Sequence, residues 1–200
     1  MIAPVELSQA YRLLNHGPTV LVSAAHGGRR NVMAAAWSMP LDFAPPKVAV
    51  VLDKSTFTRG LVEASGVFAL NLPCRAIADA TLAVGNVSAK DPEHADKFSE
   101  FGLGTFAGSA LDLPLVEGCV GWLECRVVPE PHNQQAYDLF IGEVVAAHAD
   151  ERVFGRGRWH FERADDSLRT LHYVAGGRFL AIGEALDADV ERASRAPRLA

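Results

Sequence analysis

Three strand-like runs lie within the first 53 residues, and the links between them are too short for helical crossovers. Thr19–His26 reads as a strand, and Gly27-Gly28-Arg29-Arg30 turns it into the run Asn31–Met39. A corner marked by Pro40 and Pro45-Pro46 leads into Lys47–Asp53. Parallel neighbours need a connection of about a dozen residues or more, whereas antiparallel ones need only a turn. This end of the chain therefore predicts an antiparallel meander, and a mainly β fold with peripheral helices.

The remaining elements fit that frame. Pro4–Asn15 reads as a short helix, with proline in its first turn and Val5, Leu7, Tyr11 and Leu14 near helical spacing. Ser55 is placed to cap a helix over Thr56–Ala64 that ends at Gly66. Val67–Leu72 is a strand, and Arg75–Val84 an amphipathic helix. Asp91 caps a further helix with Pro92 in its first position and Glu93 paired with Lys97. Gly102–Pro114 reads as a loop with one short element. Leu115–Pro129 and Tyr137–Asp150 are long strands joined by a loop at His132–Gln135, with Gly142 allowing a kink or close approach. Arg152–Glu162 is irregular, and Leu171–Gly183 is a last strand bent at Gly176-Gly177. The reading is one domain over residues 1–184 and a polar tail over 185–200.

Composition narrows the function. Apolar residues make up 49% and charged residues 22%, as in ordinary globular chains. A formal charge of −5 without a basic block argues against nucleic acid and anionic membrane as partners. No apolar run approaches the ~20 residues of a membrane span, and Met1–Glu6 lacks the character of a signal peptide, so the expected location is cytoplasmic. The three cysteines, Cys74, Cys119 and Cys125, are odd in number and lack C-x-x-C spacing, which leaves small buried thiols or a redox role. Cys119 and Cys125 fall on one face of an alternating strand. Asp91, Glu93, His94 and Asp96 on one short helix do not converge as metal ligands.

Two stretches carry the functional reading. Ala34, Ala35 and Ala36 are weak strand formers; either something flat lies against their backbone or they fill the taper of a barrel. Ser55, Thr56 and Thr58 gather where free N–H groups at a helix start favour an anion, with Lys54 and Arg59 near enough to add charge. Lysine is scarce: four stand against fifteen arginines, and Lys47, Lys54, Lys90 and Lys97 all fall in the two stretches 31–71 and 86–98.

Taken in order, certain residues resemble the flavin reductase-like family of FMN-binding split barrels, in its flavoredoxin-like branch. They are Asn31-Val32-Met33 with Trp37-Ser38, Pro46 before Val48–Leu52, Ser55 and Thr58, and Phe68–Asn71. Further along come Ser88-Ala89-Lys90-Asp91, Asp96-Lys97-Phe98, Leu123-Glu124-Cys125, Ile141–Val144, and Leu171-His172-Tyr173 with Gly176-Gly177. The resemblance covers roughly residues 10–183. It departs at Ala89, where the family often has glycine, and at Tyr137, where it often has histidine before the aspartate.

The resemblance implies an antiparallel split β-barrel, FMN as cofactor, and a homodimer with the flavin at the interface. FMN needs a phosphate cradle, a planar slot and polar partners for its ring edge. On that expectation Ser55, Thr56, Thr58, Ser88 and Lys90 hold the phosphate. Asn31, Met33, Ala34, Ala36, Trp37, Ser38 and Asp53 line the ring, Phe98 adds an apolar wall, Asn71 meets a polar edge, and His172 and Tyr173 close the slot. Hydride transfer from NAD(P)H needs stacked rings rather than a protein nucleophile, so no catalytic acid or base is named. No G-x-G-x-x-G follows a strand, and a nicotinamide would dock on the flavin itself. Three functions follow: an NAD(P)H:FMN oxidoreductase that supplies reduced flavin to an oxygenase, an FMN electron carrier that serves a protein partner, and a flavin-free barrel.

Overall fold

The computed structural model describes residues 17–189. The expected helix over Pro4–Asn15 and the end of the tail lie outside them. In chain order the elements are β1 (Val20–His26), β2 (Arg29–Ala35), β3 (Ser38–Phe43), β4 (Pro46–Val51), α1 (Phe57–Ser65), β5 (Val67–Pro73), α2 (Ala78–Asn86) and α3 (Lys97–Glu100). There follow β6 (Thr105–Ala107), β7 (Pro114–Val116), β8 (Cys119–Val128), α4 (Pro131–Tyr137), β9 (Leu139–Ala149), β10 (Phe154–Gly155), β11 (Arg158–Trp159), β12 (Leu171–Ala175) and β13 (Arg178–Ala181).

Seven strands form one antiparallel sheet in the order β2-β1-β5-β8-β9-β4-β3. Its two end strands, β2 and β3, are separated in the chain only by Ala36 and Trp37. Three backbone steps reach at most about 11 Å. Seven flat strands would hold their edges roughly 29 Å apart. The sheet must therefore roll until its edges meet, and the fold is a barrel split at the β2–β3 seam. The expected three-strand meander is replaced by two hairpins, β1–β2 and β3–β4, on opposite sides of that seam. The run Asn31–Met39 breaks because Ala35 still pairs with Val20 whereas Ser38 already pairs with Val50.

Alternation along β1 feeds two cores. Val20, Val22 and Ala24 face the barrel interior with Val50, Leu52, Phe68 and Phe140, while Leu21 faces Val84 of α2 and Phe98 of α3. Burial on both faces explains why β1 reads as a nearly continuous apolar run. Gly142 permits a close approach: a Cβ there would meet Phe68 Cζ at 2.5 Å and Cys125 Cβ at 2.9 Å. The cysteines are buried and free; Cys119 packs in the cluster under α2, and Cys125 in the barrel. A register shift between Glu124 and Cys125 breaks the simple alternation that put both on one face. Burial raises both thiols, Cys125 to about 12.

Several local expectations are corrected. Thr56, not Ser55, caps α1: its hydroxyl accepts from Arg59 N and donates to Asp53 O, while Ser55 N is held by Asp53 Oδ1. Gly66 ends α1 in the left-handed region, at φ 71°. The 75–84 helix begins as a tight turn over Arg75–Ile77, and only Ala78–Asn86 is α-helical. The Asp91-capped helix is a single tight turn, Pro92–His94, in which Asp91 accepts from Glu93 N. The loop His132–Gln135 is part of α4. Arg152–Glu162 contains the β10–β11 hairpin, and Gly176-Gly177 reverses the chain, so 171–183 is two strands. Among the described residues no helix is long and apolar enough to cross a membrane.

Candidate functional site

A groove follows β2 from Asn31 to the seam. At its inner end is a cavity of about 230 Å³ lined by Asn31, Met33, Ala34, Ser55, Thr56, Thr58, Ser88 and Lys97. Met33 and Ala34 continue into one of about 480 Å³, bounded by Ala36, Trp37, Asp53 and Tyr173. A third, of about 190 Å³, lies between Ala34–Ala36, the β12–β13 hairpin and the end of α2, with Thr19, Leu82 and Phe179 in its walls. Eleven of the sequence candidates therefore line one groove: Asn31, Met33, Ala34, Ala36, Trp37, Asp53, Ser55, Thr56, Thr58, Ser88 and Tyr173.

The alanines have two local causes. A Cβ on Gly85 would lie 3.1 Å from Ala34 Cβ, so α2 packs on β2 at van der Waals limits. Ala35 points into the barrel core, and Ala36 is left on the groove wall. Across from it the β12–β13 hairpin is anchored at its root, with Thr19 N donating to Leu171 O and Tyr173 N to Thr19 Oγ1. Strand alternation then turns Tyr173 toward the groove.

The remaining five candidates lie elsewhere. Asn71 is fully buried, donates to Leu21 O and Ser23 Oγ and accepts from Val116 N, so it pins β5 to its neighbours. Phe98 is in the core under α2, with the Arg30 guanidinium over its ring. His172, Ser38 and Lys90 do not line the groove, His172 because it alternates with Tyr173.

The cation of the inner cavity is Lys97. Its residue is 2% exposed, and its Nζ donates to Val84 O at 2.8 Å. That bond caps the last turn of α2 but engages one of three ammonium N–H groups. Desolvation pulls its pKa down to about 8. The expected Glu93–Lys97 pair therefore gives way to a buried lysine. The clue available in the sequence was the apolar neighbour Phe98, which carries this segment into the core.

Arg59 is no phosphate ligand. It is 5% exposed and donates to Glu63, to Leu52 O, to Gln134 O and to the Asp138 carboxylate. Burial lowers its pKa, but Glu63 and Asp138 outweigh this and hold it above the usual value. Its effect is to fix the exit of β4 against α1 and α4, and with it the Asp53–Thr56 turn. Asp53 itself stays below the usual carboxylate range because of hydrogen bonds from Ser55. Asn31 donates to Thr58 Oγ1 at 2.9 Å, and its Oδ1 is buried without a partner.

Residues 12–193 match the family model described as flavin reductase like domain. The chain belongs to that family. It is 50% identical over 188 residues to the protein YddH of Escherichia coli (strain K12), covering 92% of this chain and 97% of that one. It is 54% identical to a solved FMN-binding domain of a flavin reductases-like enzyme from Shewanella baltica OS155, with a TM-score of 0.83 over 94% of this chain and 97% of that one. The flavoredoxin of Desulfovibrio vulgaris (Miyazaki F) superposes with a TM-score of 0.74 at 27% identity, covering 88% and 92%. The mainly antiparallel split barrel and the FMN-binding family expected from the sequence both stand.

Proposed function

We propose that the protein is a cytoplasmic NAD(P)H-dependent FMN oxidoreductase whose flavin lies along β2. The observation that carries this reading is the meeting, in one cavity, of the α1 start with Lys97, a buried ammonium that has unused donors. An ammonium so placed favours an anionic ligand. Ser55, Thr58 and Ser88 add hydroxyls, since that of Thr56 is spent on Asp53 O, and the N–H groups opening α1 add a favourable dipole. The residues present fit a flavin phosphate there, and the alanine wall with Trp37 and Tyr173 fits a planar ring.

Bound FMN would supply reversible two-electron chemistry. The chain's own part is positioning: the start of α1 and Lys97 anchor the phosphate end, Ala34–Ala36 permit close approach of the ring, and Tyr173 with the β12–β13 hairpin restricts water at one side. NAD(P)H would be the hydride donor, docking on the ring face left open.

The homodimer belongs to the same proposal. Trp37, just before β3, and Met39, Leu41 and Phe43 along it are 52%, 56%, 45% and 99% exposed, and a register shift after Pro40 turns Phe43 to the other face of this edge strand from Met39. Over the two faces of the edge together they present on the order of 500 Å² of apolar surface, which a second copy wrapping the edge would cover. The stripe begins at Trp37, on the groove, so a second copy seated there would cover the flavin.

The test is flavin-dependent oxidation of NADH or NADPH by the purified protein. Turnover that rises with added FMN supports the reading, and reduced flavin would then be available to a partner oxygenase. Resemblance to the Desulfovibrio flavoredoxin favours a second reading, an FMN electron carrier. It gains if the protein purifies yellow yet oxidises neither nucleotide.

A further inference from the structure

The chain has four lysines, and three of them face water or a carboxylate. Lys47 is held by Asp42, Lys54 reaches Asp138 at 3.9 Å, and Lys90 is exposed on the loop after α2. Lys97 differs: among the described residues no carboxylate pairs with its Nζ, and Glu100, one turn along α3, is engaged by His94. None of the residues lining the inner cavity is acidic either. Val84 O fixes one N–H of the Lys97 ammonium, and the other two are unused.

An amine held in this way is a nucleophile as well as an anchor. Burial pulls its pKa down to about 8, so at pH 8 about half of it is neutral, against roughly one in 300 of a solvated lysine. Access is what limits it. At 2% exposure it meets only a reagent that enters the cavity. A cavity of hydroxyls, helix-start N–H groups and one cation admits an anion most readily. The electrophile that fits therefore carries its own phosphate next to the reacting carbon. An acyl phosphate, the mixed anhydride of a carboxylic acid with phosphate, has that structure.

We propose that Lys97 is a modification site at which an acyl phosphate docks in the inner cavity and acylates Nζ, a role that rests on the same reading of that cavity as a phosphate site. The neutral amine attacks the carbonyl carbon. The new N–C bond forms, the C–O bond to phosphate breaks, and the amine's proton leaves with the inorganic phosphate, so no oxidant or reductant is involved. The amide formed keeps one N–H, enough for Val84 O, but has lost the charge that attracts a flavin phosphate. Acylation thus spares the cap of α2 and removes the preference for FMN over riboflavin.

The test incubates the unliganded protein with acetyl phosphate at pH 8 and follows each lysine by peptide mass spectrometry, with Lys47, Lys54 and Lys90 as internal references. Lys97 should be acetylated about tenfold faster than Lys54 or Lys90, at a rate that saturates in acetyl phosphate and falls when inorganic phosphate or FMN is added. Acetic anhydride, which carries no phosphate, should largely lose that preference. The acetylated protein should melt within a few degrees of the parent and bind FMN no more tightly than riboflavin. Lys97 labelled no faster than Lys90, a rate that neither saturates nor responds to phosphate, or the same preference with acetic anhydride would each overturn the proposal. Selective labelling that phosphate slows and FMN does not would support it and count against the flavin reading alone.

Discussion

Replacing Lys97 by Met separates its two roles, as cap of α2 and as anchor for an anion. Lowering the pKa from 10.5 to about 8 means that burial disfavours the ammonium by about 3 kcal/mol. Methionine removes that cost and keeps most of the side-chain volume, but leaves Val84 O without its donor. These effects oppose each other, and a buried charge replaced by an apolar group of similar size is often neutral for stability. The unliganded variant should therefore melt within a few degrees of the parent.

FMN binding should respond quite differently. A charge-assisted hydrogen bond contributes roughly 1.5–3 kcal/mol, so Lys97→Met should raise the Kd for FMN by about 10- to 150-fold. Riboflavin, which lacks the phosphate, should bind parent and variant alike. The pH dependence has a definite sign. Only the ammonium attracts phosphate, so the parent's affinity should fall as pH rises through 8, by up to about tenfold per unit. The variant should show no such fall. Folding stability of the unliganded parent should move the other way, rising between pH 8 and about 10.5, where the unfolded lysine holds a proton that the folded one has lost. Fluorescence titration of FMN at pH 7, 8 and 9, with thermal melts of the unliganded proteins, reads all of this. An unchanged FMN affinity combined with a large loss of stability would reduce Lys97 to a helix cap.

Other substitutions test the frame around the groove. Gly142→Ala places a methyl group against Phe68 and Cys125, and overpacking of that kind should destabilise by about 1–3 kcal/mol in denaturant titrations. Arg59→Ala strands Asp138 and Glu63 and frees the Leu52 and Gln134 carbonyls, so it should lose roughly 3–5 kcal/mol in stability. Phe43→Asp introduces charge into the β3 stripe; sedimentation should show the dimer weakened while the monomer keeps its far-ultraviolet spectrum.

The barrel was legible because its hairpins carry local signals: Gly27-Gly28, the prolines at 40–46, and Gly66 after α1. The seam was not, since nothing local marks Ala36-Trp37 as the crossing from one sheet edge to the other. Closure of seven strands sets that crossing. The hydroxyl turn was visible as a helix start, though the cap moved by one residue once Asp53 took Ser55 N. Asn71 and Phe98 read as site residues because polar and aromatic side chains in a suggestive order do not reveal which face they occupy. Asn71 proves to bridge three chain segments. Lys97 was hidden for the opposite reason: an Asp–Pro–Glu segment looks like a solvated helix, and burial of its lysine depends on α2, which packs on it from 13 residues away.

The central claim is that one end of the β2 groove recognises a phosphate while its alanine wall accepts the ring joined to it. Calorimetric titration of FMN and riboflavin into the same preparation at pH 7 tests it most directly. The account predicts FMN bound at least tenfold more tightly, with the difference abolished in Lys97→Met. Equal affinities for the two flavins in the parent protein would contradict it.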